Sequence, residues 1–393
     1  MALQDRIESL SYEVAALRDC LVKSGLIREE ALLALMHRRR FTSELEEHPC
    51  ALNATITDAL ATREMSLSLA KLLGRSNTIA LQGTCRSIWQ AGGQRSPDPT
   101  GGLKRLVVCG GWDDAHKALG TAEAFGGGAW EELRPLSHPR AGAVAGVLGD
   151  SFYVCGGWTG TTPLDLVEVY KISEGVWKDE AAMTQRRFSA GGGVIGGQMV
   201  VSGGWDGSQA LCSAERFDDL KGVWEEMPSM KLERGHAAAG ILKGCLYMCG
   251  GWNGVNNSAQ VERFDPSLGQ WQELPAMSRA LARATAAAAS GLLIVCGGWA
   301  EQQALSMVES FNPSTGVWSS IVPLQQARAG ATASGIGSKI FVCGGWDGCD
   351  VISSVECFDL QIGYWENVDP MTVSRRGAVT FMAEFPAAPS TSE

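Results

Sequence analysis

The residues of this 393-residue chain with chemistry to offer are five histidines, twelve cysteines and several periodic sets of glutamate, arginine and tryptophan. The histidines (His37, His48, His116, His138 and His236) show no metal-ligand spacing, so no metal centre is expected. The glycine runs Gly126 to Gly128 and Gly191 to Gly193 lie among strand and hairpin residues, not at a strand-to-helix phosphate turn. The Asp-Gly pairs are too few and too isolated for a calcium loop. Five cysteines (Cys109, Cys155, Cys249, Cys296 and Cys343) share one slot before a Gly-Gly pair, with Ser202 in that slot once. Equivalent positions on successive units are held too far apart to bridge, so these thiols read as small buried hydrophobes. Glu168, Glu215, Glu262, Glu309 and Glu356 recur in an alternating segment. They read as acceptors for backbone donors or an arginine, not as acid-base groups. No cofactor is implied.

The chemistry left is that of recognition, and it rests on repeats. Trp112, Trp158, Trp205, Trp252, Trp299 and Trp346 are spaced 46, 47, 47, 47 and 47 residues. Trp130, Trp177, Trp224, Trp271, Trp318 and Trp365 keep a spacing of 47 throughout. A period of this length signals a repeat architecture. Each period holds four candidate strands. The first follows an arginine and is built of small residues, as in Arg140-AGAVAGV and Arg328-AGATASG. The second is apolar without alternation, as in Phe152-Tyr153-Val154-Cys155, which marks a strand covered on both faces. The third alternates around its glutamate, and the fourth starts at the second tryptophan. Such four-stranded units bury their faces only by radial stacking, with Gly and Ala nearest the crowded axis.

Paired glycines after an apolar strand, then Glu-x-aromatic, then Trp: this pattern resembles the kelch repeat in all six units. The resemblance implies an all-β fold, a six-bladed kelch β-propeller over residues 103–385. The first unit opens at its second strand, Leu106 to Gly111. The C-terminal segment Arg375-Arg376-Gly377-Ala378-Val379-Thr380-Phe381 supplies the missing first strand and closes the ring, which removes an open sheet edge. Up-and-down strand order puts two loops of each blade on one face. One carries Trp112, Trp158, Trp205, Trp252, Trp299 or Trp346. The other carries Arg140, Arg187, Arg234, Arg328 or Arg375. In kelch adaptors these two positions often contact a bound peptide, so the resemblance implies a partner-binding face made of these eleven residues and suited to an acidic peptide. The competing reading has the indoles covering blade edges and the arginines paired with local acids. In the fifth blade Leu281 takes the arginine slot, with Arg283 two residues on, and Trp299-Ala300-Glu301 replaces the Trp-Asp-Gly turn. A weaker ligand footprint is expected on that side. Some kelch propellers are copper oxidases, but five tyrosines and three propeller histidines supply few ligands for that chemistry.

Ahead of the repeats, residues 1–46 read as helical. Leu3, Ile7, Leu10, Val14, Leu17 and Leu21 form a short coiled-coil-like seam that serves either local packing or a homodimer. Residues 47–91 suggest short helices, and Cys85-Arg86-Ser87-Ile88-Trp89 resembles the end of an F-box, although the usual Leu-Pro opening is missing. That resemblance implies docking to a ubiquitin-ligase subunit; the alternative is an unassigned helical bundle. The overall expectation is thus a propeller with a small α-helical N-terminal region, a Gly/Ser/Pro linker at 92–102 and a disordered tail at 386–393. A net charge of −10 argues against general nucleic-acid binding. No uncharged apolar run reaches membrane-spanning length, and no secretory signal pattern opens the chain. A cytoplasmic protein is expected, with nuclear entry a variant reading of His37-Arg38-Arg39-Arg40. The function expected is that of a protein-protein interaction module. The leading reading is a substrate-recruiting ubiquitin-ligase adaptor, and the alternative is a cytoskeletal (actin-binding) or signalling scaffold; neither is an enzyme.

Overall fold

The second strand of each unit shows why a single repeat cannot stand alone. In the computed structural model, which describes residues 103–126 and 128–385, Leu246 and Met248 of the strand Cys245–Cys249 pack toward the preceding blade. Tyr247 and Cys249, on the other face of the same strand, pack toward the following blade. All four are at most 1% exposed. A fully buried side chain of this size contributes roughly 1.5–3 kcal/mol. An isolated blade would therefore forfeit most of the apolar burial of its best-covered strand. Six apolar clusters result, one at each junction between neighbouring blades.

Each blade is a four-stranded antiparallel sheet. Blade 2 contains Val144–Leu148, Ser151–Cys155, Val167–Lys171 and Val176–Glu180. Blades 3 to 6 repeat the pattern from the inner strands Gly191–Ile195, Ala238–Leu242, Thr285–Ala289 and Thr332–Ile336. Blade 1 joins the two ends of the described chain. Val379–Phe385 forms its inner strand against Leu103–Cys109, in a register running from Leu103 opposite Phe385 to Cys109 opposite Val379. The expected closure by a C-terminal strand is therefore present. Inner strands neighbour one another around the whole circle, so the ring is complete.

The second tryptophan set seals the blade junctions. Each indole Nε1 donates to a backbone carbonyl on the connector that enters its own blade. Trp177 donates to Arg134, Trp224 to Ala181, Trp271 to Pro228, Trp318 to Pro275 and Trp365 to Val322, at 2.8–2.9 Å. Trp130 donates across the ring closure to Asp369 at 2.8 Å. The cysteines of the Gly-Gly slot are buried with free thiols, the small hydrophobes expected. Burial pushes the thiols of Cys109, Cys249 and Cys343 up to about 12. The expected N-terminal segments 1–46 and 47–91, the linker 92–102 and the tail 386–393 lie outside the described residues.

Candidate functional site

The five slot arginines, expected to present themselves at an open face, do not. Arg140, Arg187, Arg234, Arg328 and Arg375 are at most 2% exposed and turn inward. Arg140 is representative. Its Nη1 donates to the carbonyls of Gly156 at 3.0 Å and Leu166 at 2.8 Å, and its Nη2 donates to Glu168 Oε2 at 2.7 Å. Glu168 in turn accepts the backbone amide of Ser137 at 2.8 Å. The physical reason is donor supply. The Gly-Gly bulge and the start of the third strand leave carbonyls without a ladder partner, and only a five-donor guanidinium reaches both them and the buried glutamate. The same unit recurs as Arg187–Glu215, Arg234–Glu262, Arg328–Glu356 and, across the closure, Arg375–Glu123. Burial pulls the guanidinium pKa of Arg140 down from its ordinary value, and Glu168 offsets part of that fall. The arginine backbone ties adjacent blades as well: the amide of Gly157 donates to the carbonyl of Arg187 at 2.8 Å. Gly156 has φ +64°, and a Cβ there would meet the Arg187 oxygen at 2.4 Å, so the first glycine of the pair is obligatory. The arginines and glutamates are therefore a structural clamp, and the glutamates behave as expected.

Blade 5 lacks the clamp. Leu281 keeps the backbone role, accepting the amide of Gly251 at 2.9 Å, but offers no cation. Glu309 is 3% exposed, with Oε1 accepting the Ser278 amide at 3.4 Å and Oε2 without a partner.

The six tryptophans after the Gly-Gly pairs are half-buried and do stand at the rim of one face. Each forms a two-residue bridge with the residue following the arginine slot, as Trp158 does with Ala141 and Trp112 with Arg376. Their rings pack along the rim: Trp205 stacks on Trp252 at 5.1 Å, Trp299 meets Trp346 at 5.3 Å, and Trp158 meets Phe188 at 4.9 Å. Trp112 and Trp346 also line the central cavity; the other four do not.

That cavity, of about 570 Å³, opens where the inner strands begin. Its constriction is a closed ring of six backbone hydrogen bonds, made by the residues two positions past the arginine slot. Gly142 donates to Gly377, Ser189 to Gly142, His236 to Ser189, Arg283 to His236, Gly330 to Arg283 and Gly377 to Gly330, all at 2.6–2.9 Å. All six have positive φ, between 50° and 65°. Glycine meets this demand in three blades, whereas Ser189, His236 and Arg283 meet it against their conformational preference, at about 1 kcal/mol or more each. Three consecutive blades thus place a side chain at the ring where glycine serves the other three.

Below the tryptophan rim the cavity walls are mostly Ala and Gly with the hydroxyls of Ser189, Thr285, Thr332 and Thr380, and four larger polar side chains join them: His116, His236, Arg283 and Arg376. His236 lies edge-on to Phe188 at 5.7 Å. Burial, together with the charge of Arg283, brings its pKa down to about 3, so the imidazole is neutral. The side chain of Arg283 is exposed, and its guanidinium makes no hydrogen bond or ion pair among the described residues. Arg376 is half-buried, reaches His116 Nδ1 at 3.4 Å and leaves its Nε unpartnered. Partial desolvation among the cavity walls lowers the pKa of both, and Arg376 lowers that of Arg283 further. The side of blade 5, expected to be weak, thus carries the open guanidinium. The signal was legible as the residue two past each arginine slot, a glycine in half the blades and a polar side chain in the rest.

Among the described residues one group has metal-ligand types within reach of one another, His138, Glu168 and Asp179. Glu168 is already taken by Arg140 and the connector amides, so the group is part of the clamp.

The kelch motif model matches five segments of the chain, residues 139–184, 186–231, 233–278, 280–325 and 327–372. These are blades 2 to 6; blade 1 is the one divided between the two ends. No curated protein matched the chain. Among solved structures, one titled "Structure of YjhT" is similar with a TM-score of 0.57 and 14% sequence identity, over 67% of this chain and 98% of that one. At that identity the likeness concerns the fold.

Proposed function

The chain belongs to the kelch family, and on that premise we propose that it is a non-catalytic protein-binding module that takes an acidic segment of its partner into the mouth of the propeller. The observation that carries this reading is the pair Arg283 and Arg376, two guanidinium groups at an open cavity with no carboxylate paired to either among the described residues, in a chain of net charge −10. All five arginines of the repeated slot are consumed by the clamp. Around this pair Trp112, Trp346 and Phe188 offer aromatic surface, and arginine with aromatic residues dominates interface energetics. The ring of backbone bonds holds these side chains in place before a partner arrives, which reduces the ordering cost of binding.

The test is capture by the full-length protein with Arg283→Gly and Arg376→Ala combined. Both substitutions install residues that other blades already use at these positions. Partner recovery should fall at least tenfold at an unchanged melting temperature; undiminished recovery would overturn the reading.

The cellular role we favour is substrate recruitment for a ubiquitin ligase in the cytoplasm, with residues 47–91 docking a ligase subunit. Its support is the F-box-like segment Cys85 to Trp89. Failure of the full-length protein to bind a Skp-type subunit would remove it. The alternative is a cytoskeletal (actin-binding) or signalling scaffold dimerised through residues 1–46, supported by the short seam from Leu3 to Leu21. It requires a dimer in sedimentation that is lost on deleting that segment.

A further inference from the structure

Arg283 and Arg376 are not scattered around the mouth; they flank one blade. In the ring of backbone bonds Arg283 belongs to blade 5, Gly330 to blade 6 and Gly377 to blade 1, and each donates its amide to the one before it. The residue preceding Gly377 is Arg376, and its Cβ would lie 3.8 Å from a Cβ placed on Gly330. Blade 6 thus contributes bare backbone at the ring, and the blade on each side of it contributes an arginine to the cavity lining. The acidic neighbour that acts on Arg376 is Asp114, whose Oδ1 already accepts the Val351 amide at 2.7 Å. No acid acts on Arg283; its charged neighbour is Arg376. His236, next in the ring, adds a neutral imidazole.

Two like charges that line one cavity, with Gly330 of the intervening blade between them in the ring, repel each other, and Asp114 offsets only part of the charge on Arg376, so the pair favours an anion of more than one charge. A carboxylate brings one negative charge. A phosphate monoester brings close to two at neutral pH, with three acceptor oxygens that suit planar guanidinium forks. We propose that the cleft between Arg283 and Arg376, above Gly330, binds the phosphate group of a phosphorylated side chain. This rests on the reading that the mouth receives a segment of a protein partner, and narrows that segment's anchoring group.

The site is tested with small probes on the full-length protein, read by tryptophan fluorescence, because Trp112 and Trp346 line the same cavity. N-acetyl phosphoserine amide is expected to bind at least tenfold more tightly than N-acetyl glutamate amide. Arg283→Gly and Arg376→Ala should each weaken phosphate binding at least tenfold without lowering the melting temperature. Equal binding of the two probes, or phosphate binding that survives in the double variant, overturns the proposal. If the double variant loses partner capture while the probes show no phosphate preference, the inference fails and the mouth reading stands. If phosphate binding depends on both arginines but partner capture does not, the ligand is a free phosphate ester and the proposal is wrong as stated.

Discussion

Replacing Glu262 by glutamine separates the clamp from ordinary burial. Glu262 is 1% exposed and accepts from Arg234 Nη2 at 2.7 Å, the Lys231 amide at 2.8 Å and the Leu232 amide at 3.3 Å. Glu262→Gln keeps the shape and one acceptor but leaves the guanidinium of Arg234, itself 1% exposed, without its counter-charge. Removing one partner of a buried ion pair costs about 3–5 kcal/mol. The retained amide acceptor places this case near 3 kcal/mol. Glu309 holds the same place in blade 5 but faces Leu281, so Glu309→Gln removes a buried carboxylate that no cation compensates. Its cost should lie within about 1 kcal/mol of zero and can have either sign. Chemical denaturation of the two variants, at matching m-values, reads the difference. A third variant completes the cycle: with Leu281→Arg in place, Glu309→Gln should become costly, with a coupling of about 1–3 kcal/mol. Equal losses for Glu262→Gln and Glu309→Gln, or no coupling with Leu281→Arg, would refute the clamp as the source of the glutamates' contribution.

Three further outcomes are expected. Trp365→Phe deletes the 2.8 Å bond to the Val322 carbonyl and should cost about 1–3 kcal/mol in the same assay; a neutral result would show that the indole acts by packing alone. Native alkylation at pH 8 should label the exposed Cys349 and spare Cys109, Cys249 and Cys343, whose thiols burial holds near 12, as read by peptide mass mapping. The pKa of His236 falls from an ordinary 6.5 to about 3 on folding. Through that window the unfolded chain takes up a proton that the folded one does not, so the folded state loses stability as pH falls from about 6.5. His236→Gly should flatten that part of the acid limb, and an unchanged pH dependence would show the imidazole to be freely solvated.

The architecture was legible because it rests on period: a 47-residue spacing of tryptophans and an apolar strand with no alternation leave little choice but radial blades. Closure was legible from a first unit without its inner strand and a surplus strand at the other end. The site was half legible. The loops that meet at the mouth follow from strand order, and Trp112 and Trp346 are there. The direction of a side chain within a loop does not follow from strand order. Arg140 and its equivalents turn inward because the Gly-Gly carbonyls and a buried glutamate offer them more partners than water at the rim. Arg283 and Arg376 remain in the cavity lining, since among the described residues no carboxylate forms an ion pair with either, although Asp114 acts on Arg376. Their irregular positions in the repeat are what the proposed function accounts for.

Whether the mouth holds the partner is tested most directly by photo-crosslinking from two single positions in the full-length protein. One is Ser189, on the ring at the mouth. The other is Leu220, which is 94% exposed on a hairpin turn at the opposite face. Partner adducts should form from position 189, disappear when Arg283→Gly and Arg376→Ala are added, and be absent from position 220. Adducts from position 220 with none from position 189 would contradict the account.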